Sequence, residues 1–372
     1  MQNVRPNVEA RLGASRVSVA GERAASPAHR PAPSVLGLAP GVGAGRALIV
    51  IPCLNEVSVI ATVIARILDD DQLDRPLLLV ADGGSTDGSQ AIVRRIAALD
   101  DRVRLLVNPK RLQSAGVNLA ALHGEAGATW LVRVDAHAEY PANYVSTLIS
   151  EARRTGADSV VVGMDTQGTS RFQRAVAAAQ NSRLGAGGSA HRNGGAAAWV
   201  DHGHHALFSL AAFRAIGGYD EDFSHNEDAE LDVRLARSGR RIWLTDKAPI
   251  VYYPRSSPQA LWRQYLNYGE GRARTMLKHR TRLKIRQVLP IGVAPALLLA
   301  AGAPWFWPLA VPALAWTTLA LGYGLVIGLR RRDPCLALSG VAAMIMHMGW
   351  SVGFWMLQVR HRLSIAPRRA AA

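Results

Sequence analysis

One segment combines an apolar strand, an acidic strand end and a glycine-rich turn that leads into a helix. The predicted strand Pro76–Val80 is followed by Asp82, the turn Gly83–Gly88 and a predicted helix over 89–99. In an open α/β sheet this order presents a carboxylate and free backbone N–H groups at the carboxyl end of a strand, where nucleotides bind. The segment therefore predicts an α/β fold with a nucleotide site at one edge of the sheet.

A second polar strand end follows the same pattern. The predicted strand Thr129–Val134 runs into Asp135 and His137. Alternate residues of an extended segment point to the same side, so this carboxylate and imidazole can face one ligand. The pair suits Mn²⁺, and less readily Mg²⁺, beside a diphosphate. The alternative is that Asp135 makes a turn and His137 packs against Tyr140.

A third acidic site lies at the start of a helix predicted over 227–238. Glu227 and Asp228 follow the glycine-rich segment 217–221. An ionised carboxylate that reaches a substrate hydroxyl can act as a general base. The alternative is an ordinary acidic helix start, which the helix dipole favours.

Two groups of polar residues each have more than one interpretation. Asp82 and Asp87 either contact a nucleotide or only stabilise their turn as Asx motifs. His202, His204 and His205 have no cysteine close in sequence, and Asp201 is the one acidic residue near them. A polar wall of an acceptor site, or ordinary packing, is therefore favoured over zinc for the three histidines.

Alternating strands and helices up to Asp135 predict a half built of parallel βαβ units. The second half, up to residue 250, is less regular, and the fold expected overall is a Rossmann-like mixed sheet with flanking helices. Residues 1–46 contain no continuous apolar segment, so they are expected to be a disordered tail rather than a secretory signal; an organellar transit peptide is the alternative. Two widely spaced cysteines indicate a reducing compartment. The expected divisions are a tail at 1–46, a catalytic domain at 47–250, a basic interfacial segment at 251–287, a membrane region at 288–359 and a basic tail at 360–372.

Three apolar runs, at 288–309, 310–329 and 335–357, contain no Asp, Glu, Lys or Arg. Each is close to the ~20 residues that a membrane helix needs, which predicts two or three spans. Prolines interrupt the first two runs, so a re-entrant hairpin over 288–329 is the alternative.

The net charge of +15 is concentrated beside these runs, because sixteen basic residues and two acidic ones follow from Arg255 onward. Such a collar is attracted to the inner leaflet of a membrane, at about 1 kcal/mol per cation. The sequence lacks a recognisable nucleic-acid module, which excludes that class of partner. Trp262–Arg274 predicts an amphipathic helix in the membrane interface, whose arginines could also bind a donor diphosphate or a lipid phosphate.

Five short motifs follow one another over residues 47–250: Ile51–Glu56, Asp82–Gly88, Asp135–His137, Gly217–Asp220 and Asn226–Asp228. In that order they resemble an inverting glycosyltransferase of family 2, and most closely the glucosyltransferases of bacterial succinoglycan-type exopolysaccharide synthesis. The resemblance implies a GT-A fold with C-terminal transmembrane helices and a UDP-sugar donor. It also implies an Mn²⁺ or Mg²⁺ ion held by Asp135, with His137 in the place of the family's usual second Asp, and Asp228 as the base.

Thirteen residues are candidates for binding the substrates: Pro52, Leu54, Asn55, Glu56, Asp82, Ser85, Asp87, Gly116, Asn118, Asp135, Glu227, Arg263 and Arg272. The Gln-x-x-Arg-Trp box of processive synthases is missing after Gln264. Addition of one sugar, glucose by the resemblance, to a lipid-linked (polyprenyl diphosphate) saccharide is therefore favoured over polymerisation.

The resemblance implies a bacterial inner membrane protein with its catalytic domain in the cytoplasm, alongside other polysaccharide-assembly proteins. The alternatives are a polyprenyl-phosphate glycosyl synthase and a non-catalytic, nucleotide-sensing membrane subunit. A dinucleotide oxidoreductase is disfavoured because no Gly-x-Gly-x-x-Gly follows the first strand.

Overall fold

The computed structural model describes residues 46–124, 127–187, 192, 196–283 and 285–369, and the expected N-terminal tail lies outside these ranges apart from Arg46. The first half alternates strands with helices, as the sequence predicts. Its elements are β1 Arg46–Cys53, α1 Ile60–Leu68, β2 Leu77–Asp82, α2 Ser89–Ala97, β3 Val103–Val107, α3 Gln113–His123 and β4 Ala128–Arg133.

The central strands are covered on both faces. All six residues of β2 are buried, which explains why its sequence is a continuous apolar run instead of an alternating one. Helix α1 covers one face of the sheet with Ile60, Val63, Ile64 and Ile67, the spacing of one side of a helix. Each such side chain contributes about 1.5–3 kcal/mol to stability when fully buried.

The second half adds strands of both directions. Its elements are β5 Ala138–Glu139, α4 Tyr144–Thr155, β6 Ser159–Thr166, α5 Arg171–Gln180, α6 Arg183–Ala186, β7 Ala198–Val200, β8 His204–Ser209, α7 Leu210–Ala215, α8 Glu227–Arg237 and β9 Ile242–Tyr252. Residues 188–191 and 193–195, in a glycine-rich part of the sequence, lie outside the described residues.

Over the described ranges, the strands form one mixed sheet in the order β3-β2-β1-β4-β8-β6-β9-β5, with β7 paired to β9. Strands β1 to β4 are parallel, whereas β8 is antiparallel to both β4 and β6. The carboxyl ends of β1, β2 and β4 therefore lie together at one edge of the sheet, where ligands bind in folds of this kind.

The C-terminal part is helical. It comprises α9 Pro258–His279, α10 Ile285–Ile291, α11 Val293–Ala300, a 3₁₀ turn at Trp307–Ala310, α12 Val311–Arg331, α13 Pro334–Ala337 and α14 Ser339–Arg369. In the part of the chain that the structure describes, two apolar segments could span a membrane by length and composition, Trp307–Arg331 and Pro334–Leu363. The first predicted run is instead divided between α10 and α11, with Pro290 inside α10.

Helix α9, which is predicted to lie in a membrane interface, packs side by side with α14. A Cβ atom at Gly269 would lie 2.0 Å from the carbonyl oxygen of Trp350, and one at Gly353 would lie 2.0 Å from that of Leu266. Small residues allow two helix backbones to approach this closely. The packing buries one side of α9 and leaves Arg263 exposed.

Helix α9 is also bonded to α8. The carboxylate of Glu230 is fully buried and accepts hydrogen bonds from Lys278 Nζ at 2.8 Å and His279 Nε2 at 2.8 Å. Burial raises the pKa of Glu230. The hydrogen bonds that it accepts, of which the one from Arg234 has the largest effect, outweigh burial and lower the pKa to about 2. An ionised network therefore connects the start of the acidic helix α8 to the helical C-terminal part.

Candidate active site

Two polar turns at the ends of β1 and β2 are hydrogen bonded to each other. Asn55, at a φ of 58°, donates its backbone N–H to Ser85 Oγ at 2.8 Å and accepts from the Thr86 backbone at 2.9 Å. Asp87 accepts from the Val57 backbone at 2.9 Å. An asparagine tolerates this left-handed conformation better than most residues. The contacts hold the two predicted turns as one unit.

Asp82 is buried at the base of this unit. Its Oδ1 accepts from the backbones of Gly84 and Ser85 at 2.9 Å and from Gln90 at 2.7 Å. Burial raises the pKa of Asp82, but the hydrogen bonds from Ser85, Gly84 and Gln90 outweigh burial, and its pKa is lowered. The carboxylate therefore shapes the turn, and its contact with a nucleotide stays a prediction.

A cavity of about 160 Å³ opens beside these turns. Five predicted residues line it: Pro52, Leu54, Glu56, Asp135 and His137. The structure adds residues that sequence reasoning did not identify: Asn108, Arg111, Leu112 and Gln113. All four follow β3, whose polar end could have been found by the reasoning applied to β2 and β4. Arg111 forms no salt bridge within the described ranges and lies against Gly84, so its charge faces the cavity.

Asp135 is held by donors on several sides. Its Oδ1 accepts from Gln113 Nε2 at 2.8 Å and Arg133 Nε at 3.3 Å, and its Oδ2 lies 3.4 Å from His204 Nε2. Burial raises the pKa of Asp135, but the positive charge of Arg133 and the two nearby histidines outweigh burial and lower it to about 2. Asp135 is therefore an ionised carboxylate at neutral pH.

Arg133 connects the second and third acidic sites. Its side chain is 5% exposed, and Nη1 donates to Asp228 Oδ1 at 3.0 Å and to Tyr219 Oη at 3.1 Å. The Tyr219 hydroxyl in turn donates to the same Asp228 oxygen at 2.7 Å. Neither Arg133 nor Tyr219 was among the predicted residues, although Arg133 is two positions from Asp135 and thus on the same side of the chain.

Glu227 lies in the same cluster, 3.7 Å from Arg133 Nη1. It begins helix α8 directly after Asn226, which adopts a left-handed φ of 64°. Burial and then the charge of Asp228 raise the pKa of Glu227 to about 7, against the opposing effect of Arg133. The two adjacent carboxyls therefore differ in their environment, as groups with different tasks do in active sites.

His137 lies at the mouth of the cavity, with Nδ1 3.4 Å from Glu56 Oε1. The hydrogen bond to Glu56 outweighs burial and raises the pKa of His137. A carboxylate and an imidazole that line one cavity are a donor set that a divalent ion accepts. No group of three or more His, Cys, Asp or Glu residues within the described ranges could hold a metal alone, so Asp135 and His137 would share any ion with substrate or water oxygens.

The three neighbouring histidines divide between two environments. His202 and His205 are both hydrogen bonded to Asp232, and His205 Nδ1 also contacts Ser159 Oγ at 2.8 Å in the interior. His204 instead faces Asp135. The acidic partner of His202 and His205 is thus supplied by α8, and of the three histidines only His204 reaches the site.

Of the remaining predicted residues, Asn118 and Gly116 support the elements that form the site. Asn118 bonds to the backbone of Tyr219 through both polar atoms, each at 2.8 Å, and so holds the segment before Asn226. Gly116 allows α3 to approach β2, because a Cβ there would lie 3.1 Å from Ala81. Arg263 and Arg272 belong to α9 and do not line the cavity.

Comparison with known proteins adds three findings. Residues 48–217 match the model of the family described as Glycosyl transferase family 2. The chain is 51% identical over 319 residues to the succinoglycan biosynthesis protein ExoA of Rhizobium meliloti (strain 1021), which covers 85% of this chain and 97% of that protein. It is also similar in fold to the mannosyltransferase PcManGT from Pyrobaculum calidifontis, solved with GDP-Man and Mn²⁺, at a TM-score of 0.53 and 19% identity over 82% of this chain and 87% of that one.

Proposed function

Because this chain belongs to glycosyl transferase family 2 and is a glycosyltransferase with the GT-A fold, we propose that it moves glucose from a UDP-sugar to a hydroxyl of a lipid-linked saccharide. The observation that carries this proposal is the cluster in which one buried guanidinium, Arg133, contacts both Asp135 and Asp228 beside the cavity. A donor-side carboxylate and an acceptor-side carboxylate are thereby fixed relative to each other.

Donor binding is assigned to the cavity at the ends of β1 and β2. Pro52, Leu54 and Glu56 would contact the uridine, and Arg111, which forms no salt bridge within the described ranges, would contact the diphosphate. The structural relative solved with GDP-Man and Mn²⁺ supports a nucleoside diphosphate sugar as the donor class. UDP and glucose are proposed from the resemblance of the sequence motifs to succinoglycan-type glucosyltransferases, and the relative named for succinoglycan biosynthesis is consistent with that class.

Asp228 is assigned as the general base. Its Oδ1 accepts both hydrogen bonds from Arg133 and Tyr219, and no described residue bonds to Oδ2. Oδ2 would take the proton of the acceptor hydroxyl. At the same time the hydroxyl oxygen would bond to the anomeric carbon, and the bond between the sugar and the diphosphate would break. A single displacement in line with the leaving diphosphate inverts the anomeric centre.

The site residues also fit a divalent ion. Asp135 and His137 would hold Mn²⁺ or Mg²⁺, which when bound neutralises charge on the leaving diphosphate. The ionised state of Asp135 at neutral pH supports this assignment. Arg133 donates to Oδ1 of the same carboxylate and orients it.

The location follows from the C-terminal helices. The segments Trp307–Arg331 and Pro334–Leu363 would anchor the protein in the bacterial inner membrane, with the catalytic domain in the cytoplasm. Arg330 to Arg332 end the first segment, and Arg174 of the catalytic domain pairs with Asp333 in the next turn. Arg330 to Arg332 on the catalytic side agree with the positive-inside rule, whereas a full crossing by the second segment would place Arg360, Arg362, Arg368 and Arg369 on the other side. Other polysaccharide-assembly proteins are the expected partners, because the curated relative is named for succinoglycan biosynthesis.

The test is acceptor-stimulated UDP release. Full-length protein in detergent is incubated with UDP-glucose, Mn²⁺ and an extract of bacterial lipid-linked saccharides, and the same reaction is run with polyprenyl phosphate alone. Release with the saccharides supports the proposal, whereas release only with polyprenyl phosphate assigns the protein as a polyprenyl-phosphate synthase. UDP binding without release from any of several nucleotide sugars would indicate a nucleotide-sensing subunit instead.

A further inference from the structure

A second, larger cavity lies outside the cluster of Arg133 and Asp228. It has a volume of about 1120 Å³ and separates the catalytic domain from the basic end of α12. We call it the α12 cleft; β6, α5 and α6 form one wall, and α12 and the turn around Asp333 form the other. Sites for compact ligands usually measure about 300–1,000 Å³, so the α12 cleft has room for an extended ligand.

The α12 cleft is positively charged. Arg174, Arg183 and Arg331 line it, against the single carboxylate of Asp333. Asp333 is paired with Arg174, and within the described ranges no salt bridge is formed to Arg183 or Arg331. Two guanidinium groups on opposite walls are thus available, and arginines without a protein carboxylate are the usual donors to phosphate oxygens.

The α12 wall changes from apolar to basic along the helix. Tyr323, Ile327 and Arg331 all line the cleft and are four residues apart, which places them on one side of α12. The same helix belongs to a segment that could span a membrane, and it ends in two arginines that Arg332 follows. This side therefore offers apolar contact toward the membrane and a cation at its surface, an arrangement that suits a lipid with an anionic headgroup.

The α12 cleft is adjacent to the candidate active site through the sheet. Thr166, which lines the cleft, pairs with Tyr252 of β9, and Tyr252 pairs with Ala138 of β5. Two strand spacings of about 4.8 Å each separate Thr166 from Ala138, the residue after His137. The side chain of Arg192 covers this path, with Nη1 2.9 Å from Thr166 Oγ1 and its guanidinium 5.4 Å from the centre of the Tyr252 ring.

We infer that the α12 cleft binds the diphosphate headgroup of the polyprenyl-linked acceptor through Arg183 and Arg331, while the polyprenyl chain lies along Tyr323 and Ile327. The headgroup and the saccharide hydroxyl at Asp228 then belong to one molecule that crosses the path over Tyr252. This assignment rests on the proposed function and gives it a lipid-binding site.

The experiment measures lipid binding separately from transfer. Full-length protein in phosphatidylcholine nanodiscs is titrated with radiolabelled polyprenyl diphosphate, comparing the wild type with the double variant Arg183→Ala, Arg331→Ala. The matched control is Arg330→Ala, which removes an exposed arginine that does not line the α12 cleft. UDP binding and the thermal midpoint are measured on every variant to establish that it is folded.

The double variant is expected to bind polyprenyl diphosphate about tenfold more weakly or worse, because charge-assisted hydrogen bonds to phosphate are lost. Arg330→Ala should bind like the wild type. Equal binding by the double variant overturns the inference. The inference is also overturned if inorganic diphosphate competes as well as polyprenyl diphosphate does, which would indicate a site for free phosphates. It is likewise overturned if phosphatidylglycerol nanodiscs compete as well, which would indicate a general anionic-lipid surface.

Failure of this inference differs from failure of the proposed function. If wild-type protein releases UDP only with lipid-linked saccharide and the double variant binds polyprenyl diphosphate normally, the α12 cleft is not the headgroup site and the transferase assignment stands. If the two arginines govern lipid binding but no donor and acceptor pair yields UDP, the transferase assignment is wrong and the lipid site remains.

Discussion

The buried guanidinium of Arg133 donates a hydrogen bond to Asp228 at 3.0 Å. The same side chain contacts Asp135 at 3.3 Å through a different nitrogen. Two carboxylates from separate parts of the chain are thereby stabilised by one cation, which offsets the free energy of burying them. The relative position of Asp135 and Asp228 depends on this side chain.

Arg133→Met should lower the free energy of unfolding by about 3–5 kcal/mol, because removing one partner leaves buried charges uncompensated. The loss should appear in thermal midpoints measured at neutral pH. Transfer should fall together with stability. Arg153→Met, at an exposed arginine of α4, is the matched control, and an equal shift in both variants would contradict the bridging role.

Asp228→Asn should reduce the rate of UDP release roughly 100- to 10,000-fold, as expected for loss of a general base. The affinity for UDP should be retained, because Asp228 does not line the nucleotide cavity. Isothermal titration with UDP and a turnover assay separate these effects, with Asp222→Asn on the exposed loop as the control. Equal losses of binding and turnover would remove Asp228 from the role of base.

His137→Ala should raise the Mn²⁺ concentration for half-maximal activity by about tenfold or more, because perturbing the ligand shell of a metal commonly has that effect. The pKa of His137 is raised by Glu56, so protons should compete with the metal as the pH falls from 8 to 6. The control His123→Ala changes an exposed histidine of α3. Superimposed Mn²⁺ titrations would show that His137 is not a ligand.

Glu227→Gln should flatten the pH dependence of stability. The pKa of Glu227 is raised in the folded protein, so its contribution is fully present below the unfolded pKa and is lost as the pH rises through about 7, where the buried carboxyl ionises. The resulting loss in the free energy of unfolding should be of order 1–3 kcal/mol. Thermal midpoints at pH 5 and pH 8 should therefore differ less in Glu227→Gln than in the wild type, whereas Glu270→Gln should follow the wild type.

Gly353→Ala should destabilise the protein although it lies far from the site in sequence. The added methyl would lie 2.0 Å from the Leu266 carbonyl oxygen and would separate α14 from α9. Gly322→Ala on α12 is the control, since a Cβ there meets no atom within 4 Å and alanine is the better helix former by about 1 kcal/mol. A lower thermal midpoint for Gly322→Ala than for Gly353→Ala would contradict this account of the packing.

The strands were predictable because their burial is visible in composition. The predicted strand Pro76–Val80 corresponds to β2 Leu77–Asp82, since strands covered on both faces are continuous apolar runs. The acidic strand ends were found because a carboxylate that directly follows such an apolar run stands out in the sequence. A change of register or direction, as in β8 antiparallel to β4, leaves no comparable trace in the sequence.

The cluster around Arg133 could not be predicted in the same way. Tyr219 is 86 residues from Arg133 in sequence, and Asp228 is 95 residues away. Their hydrogen bonds depend on β8 and α8 being brought beside β4, which is a property of the tertiary packing. The sequence showed an arginine two positions before Asp135, but a charged residue at a strand end is usually solvated unless a partner is known.

The bonds from α9 to Glu230 bear on how the catalytic domain can be produced in isolation. A fragment that ends near Arg255 would retain every residue of the cavity and the Arg133 cluster, yet it would remove Lys278 and His279 from a carboxylate that is fully buried. Glu230 lies in the first turn of the helix that carries Asp228. A soluble catalytic fragment therefore has to include α9, and the exposed α14-facing side of α9 has to be redesigned with polar residues.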